Sequence, residues 1–427
     1  MTPATLGAAL LVLMQTKDPL AGLPGPEGPA AQKVRALGDH GWINLGSPAA
    51  DPRWGKARGR SWSSRMAYAP NLRIAFTFGE GVHGWWNREN NRNMDDLWAY
   101  DIHGHRWICL YPGTDVKNID LHLDADGFEA DKEGHRIPVT QLGHGYELVT
   151  FDTDLARFMF MPGNSAEWQG GPFGERRKVW LGITGSQDVL RLRGMPTHNS
   201  PWGFDVRTGQ WSIRKVQGPW PSSHLGDLLV YVPTMKKAFF WRGGEKGIWL
   251  YDAAANTWTA VQPQGPPPPF GIEPVACLDT QRGRIYLGGG RYPQSKTHGF
   301  WCYDLKSNAW IDLQPKGAPC GGSTFFSTNL AAMNYDSSND VVVLTYHVNH
   351  EGIKKGQGLY IYDPSKNTWT DNPQPFPGEF LRPNDCLHSF YSPEFNAHFY
   401  HLAGDSTDNG LMWAYRHGAG RVQPLRK

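Results

Sequence analysis

Five times in this chain an aromatic-x-aromatic-Asp stretch is followed, six residues after the Asp, by a tryptophan. Trp98-Ala-Tyr100-Asp101 leads to Trp107, Trp202-Gly-Phe204-Asp205 to Trp211, and Trp249-Leu-Tyr251-Asp252 to Trp258. Trp301-Cys-Tyr303-Asp304 leads to Trp310 and Tyr360-Ile-Tyr362-Asp363 to Trp369, while Trp413-Ala-Tyr415-Arg416 is a decayed sixth copy. Recurrence of this kind marks a closed ring or a solenoid of like units, none of which can bury a core alone. The two aromatics share one face of a strand, because strand side chains alternate. The Asp begins a turn in which its carboxylate can accept neighbouring backbone N–H groups, and Asn256, Asn308, Asn367 or Gly209 follows. The Trp opens a second strand and offers a large apolar plate.

A second hairpin lies upstream of each copy. Met66-Ala-Tyr68 precedes Ile74-Ala-Phe76, and Leu148-Val-Thr-Phe151 precedes Phe158-Met-Phe160. The same phrase recurs around Tyr231, Leu278, Tyr335 and Tyr391. Four antiparallel strands per unit, repeated, resemble the kelch-repeat β-propeller family, an architecture shared with the central domain of galactose oxidase. The anchors at 202, 249, 301, 360 and 413 are 47 to 59 residues apart, near the roughly fifty-residue kelch unit. The fold expected is therefore all-β: a six-bladed kelch-type propeller over 39–427, preceded by a signal segment and a Pro/Gly/Ala-rich linker over 1–38. The motif is specific to the fold and silent on activity.

Six first hairpins but five complete second hairpins leave one blade short of its outer strand. Trp42-Ile-Asn-Leu-Gly-Ser-Pro mirrors Trp310-Ile-Asp-Leu-Gln-Pro, so the N-terminal segment is expected to pair with the strand around Trp413 and close the ring. The alternative closer, Arg421-Val-Gln-Pro, lacks the Trp.

Lys+Arg 42 against Asp+Glu 40 gives a formal charge of +2, which argues against a general electrostatic grip on nucleic acid. The apolar run at 4–14 is too short for a membrane span, for which about twenty residues are needed. Its length suits a signal h-region, although no Lys or Arg precedes it. The 18–31 stretch reads as a spacer. Extracytoplasmic placement, secreted or periplasmic, is expected, with a cytoplasmic location as the alternative. Five cysteines, four of them in expected strands, do not suggest a disulfide framework. A monomer is expected.

In an up-and-down blade with strands a to d, the a–b and c–d turns share one face and the d–a and b–c connections the other. The turns are short throughout. Three long connections, at about 80–97, 112–143 and 162–198, belong to blades 1 and 2 and emerge on the d–a/b–c face, where elaborated loops on a rigid scaffold commonly bind. Trp85, Trp86 and Arg88 place aromatic plates beside fork-like donors, a mix suited to sugars or polar polymers; packing of the Trp pair beneath its own loop is the plainer reading. Counting back along the first strands places Arg60, His144, His224, Glu273, Asn384 and Asp385 around the channel mouth, where they could seat a ligand or simply solvate the channel. The 122–133 segment, with Asp124, Asp126, Gly127 and Glu133, resembles an EF-hand calcium loop, but begins with His122 and lacks flanking helices. A hairpin turn on Asp-Gly explains the same residues. Calcium is the one cofactor indicated. His103 and His105, on a c–d turn, are expected to be solvated.

The function expected is a binding module for a glycan or protein partner. The alternative is an enzyme with an axial polar pocket, mutarotase-like or, less well supported, galactose oxidase-like. Tyr346-His347 is the one adjacent Tyr-His pair and no cysteine has an obvious Tyr mate, which disfavours copper chemistry.

Overall fold

The computed structural model describes residues 18–57, 65–78, 86–87, 92–93, 95–115, 122–138, 147–162, 201–223, 226–269, 272–291, 299–317, 331–348, 356–371, 374–378, 386–403 and 410–420. Their strands form six four-stranded antiparallel sheets. Blade 1 holds Ala67–Ala69, Ile74–Phe78, Leu97–Asp101 and Arg106–Tyr111. Blade 2 holds Val149–Asp152, Arg157–Phe160, Trp202–Asp205 and Gln210–Ser212. Blade 3 holds Leu228–Val232, Lys237–Trp241, Ile248–Asp252 and Thr257–Val261. Blade 4 holds Ile272–Asp279, Arg284–Arg291, Phe300–Asp304 and Ala309–Asp312. Blade 5 holds Ala331–Asp336, Val341–Val348, Gly356–Asp363 and Thr368–Asp371. Blade 6 takes Cys386–Ser392, Ala397–Ala403 and Leu411–Arg416 from the C-terminal end and Gly41–Gly46 from the N-terminal end. Neighbouring innermost strands contact one another all the way round, so the ring is closed. Among the described residues no helix is long and apolar enough to cross a membrane.

The closing pairing is the expected one. Trp42 lies opposite Tyr415 and Asn44 opposite Trp413 in an antiparallel ladder. The Trp42 ring packs on Phe376 and Tyr415, with centroids 5.3 and 4.7 Å away, and its Nε1 donates to Gln374 O at 3.0 Å.

The repeated turn is also an inter-blade fastener. Oδ1 of the Asp accepts from backbone N–H groups two or three residues on, as Asp252 does from Ala255 and Asp363 from Ser365, both at 2.9 Å. The chain then reverses through a left-handed residue, Asn256, Asn308 or Asn367, which asparagine tolerates better than most. The hydroxyls of Tyr251, Tyr303 and Tyr362 donate to the Oδ1 of these asparagines at 2.7, 2.7 and 2.8 Å. Each Asn Nδ2 donates in turn to a backbone carbonyl just beyond the outer strand of the preceding blade: Lys215, Gln262 and Leu313, at 2.8, 3.2 and 2.6 Å. In blade 1 His105 takes the Asn position, with φ 47° and Nδ1 2.9 Å from the Tyr100 hydroxyl.

Two expectations fail on this face, for one reason. The 18–31 stretch is docked rather than a spacer, and the short helix Pro29–Arg35 buries Ala31 and Val34. Arg416 holds it down by donating to Val34 O and Phe395 O, each at 3.0 Å. Arg35 chelates Glu27 at 2.7 and 2.9 Å, which holds that carboxyl below its usual range, and reaches Glu394 at 2.9 Å. His103 is consequently covered, not solvated: it is 3% exposed and its Nδ1 donates to Gly25 O at 2.7 Å. His105 is half-buried, and burial pushes its pKa down. The 4–14 run lies outside the described residues.

Between blades the exiting chain runs beside the next outer strand, as Lys316 does beside Trp369. Gly317 has φ +70°, and a Cβ there would stand 2.6 Å from Trp369 O; Gly218, at the matching place two blade junctions earlier, has φ +81° and nothing within 4 Å. Gly218→Ala is expected to cost about 1–2 kcal/mol, the left-handed strain alone. Gly317→Ala is expected to cost a further 1–3 kcal/mol, roughly, from the carbonyl clash. Urea unfolding of both variants measures the difference.

Candidate functional site

Arg60, Trp85, Arg88, His144, His224, Asn384 and Asp385, expected in the binding face and channel mouth, lie outside the described residues, as do 163–200. The backbone of Trp86 pairs with Asn93 in a two-residue ladder within the blade 1 b–c connection. Glu273 sits at the start of the first strand of blade 4. The side chains of both are outside the description.

Deeper in the channel, one residue spans the axis. Arg65, just ahead of the first strand of blade 1, forms an ion pair with Glu147 at the entry to blade 2. It also donates to Leu229 O of blade 3 at 3.2 Å and Ala276 O of blade 4 at 2.6 Å. Next to it, Met66 N donates to Ser389 O of blade 6 at 3.0 Å. The Arg65 side chain is 16% exposed and that of Glu147 3%, so the pair is largely desolvated and the backbone carbonyls complete its solvation. Arg65 also borders a cup of about 280 Å³, lined by Tyr68, Cys277, Met333, Tyr335 and Phe390 together with a–b turn residues. Its groups are poorly suited to chemistry. Burial raises the Cys277 thiol well above its usual pKa, and the Tyr335 hydroxyl donates to Asp340 at 2.7 Å. Three residues before each first-strand anchor the sequence reads Arg65, Leu148, Leu228, Val275, Ala332 and His388. A lone guanidinium in a mostly apolar column was the available signal for this axial tie.

A second cavity, of about 460 Å³, lies on the outer flank of blades 1 and 2. Residues 113–115, 131–133 and 135–137 of the connection leaving blade 1 line it, and that connection contributes a small hairpin, His122–Leu123 with Glu129–Ala130. Asp124 Oδ1 caps the turn by accepting from Asp126 N and Phe128 N, both at 2.9 Å. Arg136 clamps the hairpin, donating to Asp124 Oδ2 and Asp126 Oδ2 at 2.6 Å each and to Ile213 O of blade 2 at 2.9 Å. Burial pushes the Asp124 carboxyl up, but the bonds from Phe128 N and Arg136 outweigh it and hold the group below its usual range. The three carboxylates of the calcium-like spacing are therefore divided. Asp124 and Asp126 meet on a guanidinium, whereas Glu133 groups with Asp131 and His135, their ligand atoms within 4.8 Å of one another. A second such group, Glu27, His103 and Glu394, already carries Arg35 between its carboxylates.

The cavity wall departs from the repeat. Trp107, Trp258, Trp310 and Trp369 are at most 4% exposed, but their counterpart Trp211 is only partly buried and lines the opening. Its ring meets Tyr111 edge to face, centroids 6.0 Å apart. Beneath Tyr111 the Thr114 hydroxyl, 2.7 Å from the Tyr hydroxyl, donates to Asp95 Oδ2 at 2.6 Å, and Thr114 N donates to Oδ1 at 2.8 Å.

Burial pushes Asp95 up to about 6, against an ordinary 3.8, although the Thr114 bonds oppose the shift. Between those two pH values the folded protein keeps a proton that the unfolded chain has released, so this group's contribution to stability falls as pH rises. Two pH units correspond to about 3 kcal/mol. Replacing Asp95→Asn is expected to remove that slope, so the wild-type-minus-variant unfolding free energy should fall from pH 4 to pH 6 and then level off.

A family model for the KLHDC2/KLHL20/DRC7 kelch-repeats domain matches residues 184–391, from the connection ahead of the third strand of blade 2 into the first strand of blade 6.

Proposed function

Because the chain is a kelch-repeat β-propeller, an architecture that commonly serves as a protein-binding module, we propose that it captures a glycan or polypeptide partner through its d–a and b–c connections. The observation that carries this reading is the division of labour between the two faces. On the short-turn face, Asp carboxylates, Tyr hydroxyls and Asn amides are engaged with their own turns or the adjacent blade. The docked 18–37 segment covers part of that face. The connection leaving blade 1, by contrast, is free to vary in length without disturbing a blade, and it builds the 460 Å³ cavity along the outer flank together with Gly209, Gln210 and Trp211 of blade 2. Convergent polar groups around an aromatic wall are the usual make-up of a binding pocket.

Folded full-length protein screened against a glycan array and a displayed peptide library is expected to select ligands from at least one of the two. A variant carrying Trp86→Ala and Arg88→Ala should lose about tenfold or more in affinity, or about 1.4 kcal/mol. Failure of both screens by a demonstrably folded ring would contradict the proposal.

A further inference from the structure

We infer that the flank cavity between blades 1 and 2 is a subsite for a neutral pyranose ring of an oligosaccharide, an inference that rests on the binding-module reading and narrows it. Three observations combine. The first is the wall: Trp211 and Tyr111 stand at 85° to each other, so two aromatic surfaces form a corner. A pyranose presents a C–H face that packs on such a plate, while its hydroxyls need donors and acceptors around the edge. The second is Trp211 itself. Where its four counterparts are core, this ring is only partly buried and borders the cavity.

The third is charge. Asp115, Asp131 and Glu133 line the cavity alongside Arg92, Lys132 and Arg136, the last already paired with Asp124 and Asp126. A lining of mixed sign supplies both hydrogen-bonding senses to a neutral polyol. Glu133 and His135 are well exposed at the rim, with side-chain exposures of 54% and 70%, while Asp131 holds His135 in place, its Oδ1 accepting from His135 N at 2.8 Å and its Oδ2 3.2 Å from His135 Nδ1. The volume of about 460 Å³ falls within the range of small-molecule sites. The hairpin clamp of Arg136 onto Ile213 O fixes the rim against blade 2 before any ligand arrives.

The test is calorimetric titration of the full-length protein with cellotriose, maltotriose, mannotriose and chitotriose. At least one should bind, and Glu133→Gln and His135→Ala, both peripheral to the core, should each weaken it about fivefold or more with the unfolding midpoint unchanged. Binding should also change tryptophan fluorescence, and Trp211→Phe, which keeps an aromatic in the wall, should abolish that change. Absence of binding by all four sugars would overturn the inference, as would undiminished binding in both rim variants. Capture of peptides without any sugar would overturn it too, while leaving the module reading in place.

Discussion

Everything in this molecule depends on one ladder, the antiparallel pairing of Gly41–Gly46 with Leu411–Arg416. A propeller blade is a thin twisted sheet whose two faces must both be covered, and only neighbouring blades can cover them. Without the N-terminal strand the sixth sheet would present a bare edge and the ring would be open at the point where it joins the first blade. The pairing joins the two ends of the chain, and the Trp42 plate against Phe376, Tyr400 and Tyr415 makes it part of the same packing as the interior of blades 5 and 6.

Polar fasteners complement the apolar contacts. The Tyr–Asn–carbonyl relay links each of three successive turns to the blade before it, so a local turn preference becomes a long-range tie. Arg65 does the same across the axis, joining blade 1 to blades 2, 3 and 4 with one side chain. These ties engage the repeated Tyr and Asn side chains of the turn face and cross the inner channel. Variation is therefore least harmful in the connections on the other side, where the chain has placed its longest insertions.

The blades were legible in the sequence because each rests on local rules: alternation within a strand, an Asp that nucleates a turn, and a Trp at a fixed distance. Closure was legible too, since Trp42 repeats the outer-strand phrase. What escaped was decided by contacts between distant residues. His103 looks like a solvated turn residue until the 18–37 segment covers it, and that segment looks like a spacer until Arg416 and Glu394 hold its helix in place. The 122–133 spacing suggests one ligand sphere, but Arg136 draws Asp124 and Asp126 together and leaves Glu133 elsewhere. Trp211 reads as one more core plate, and its partial exposure follows from an insertion whose path a repeat pattern does not encode. The predicted channel-mouth residues other than Glu273 fall outside the described residues.

Native-state amide hydrogen exchange resolved to single strands tests the closure most directly, because protection reports the free energy of opening each element. The amides of residues 41–46 that bond to the Leu411–Arg416 strand should exchange as slowly as those of the second and third strands of blades 3 and 4, with one common opening free energy. Rapid exchange at 41–46 while those strands stay protected would show that the ring holds without this ladder, and would contradict the account.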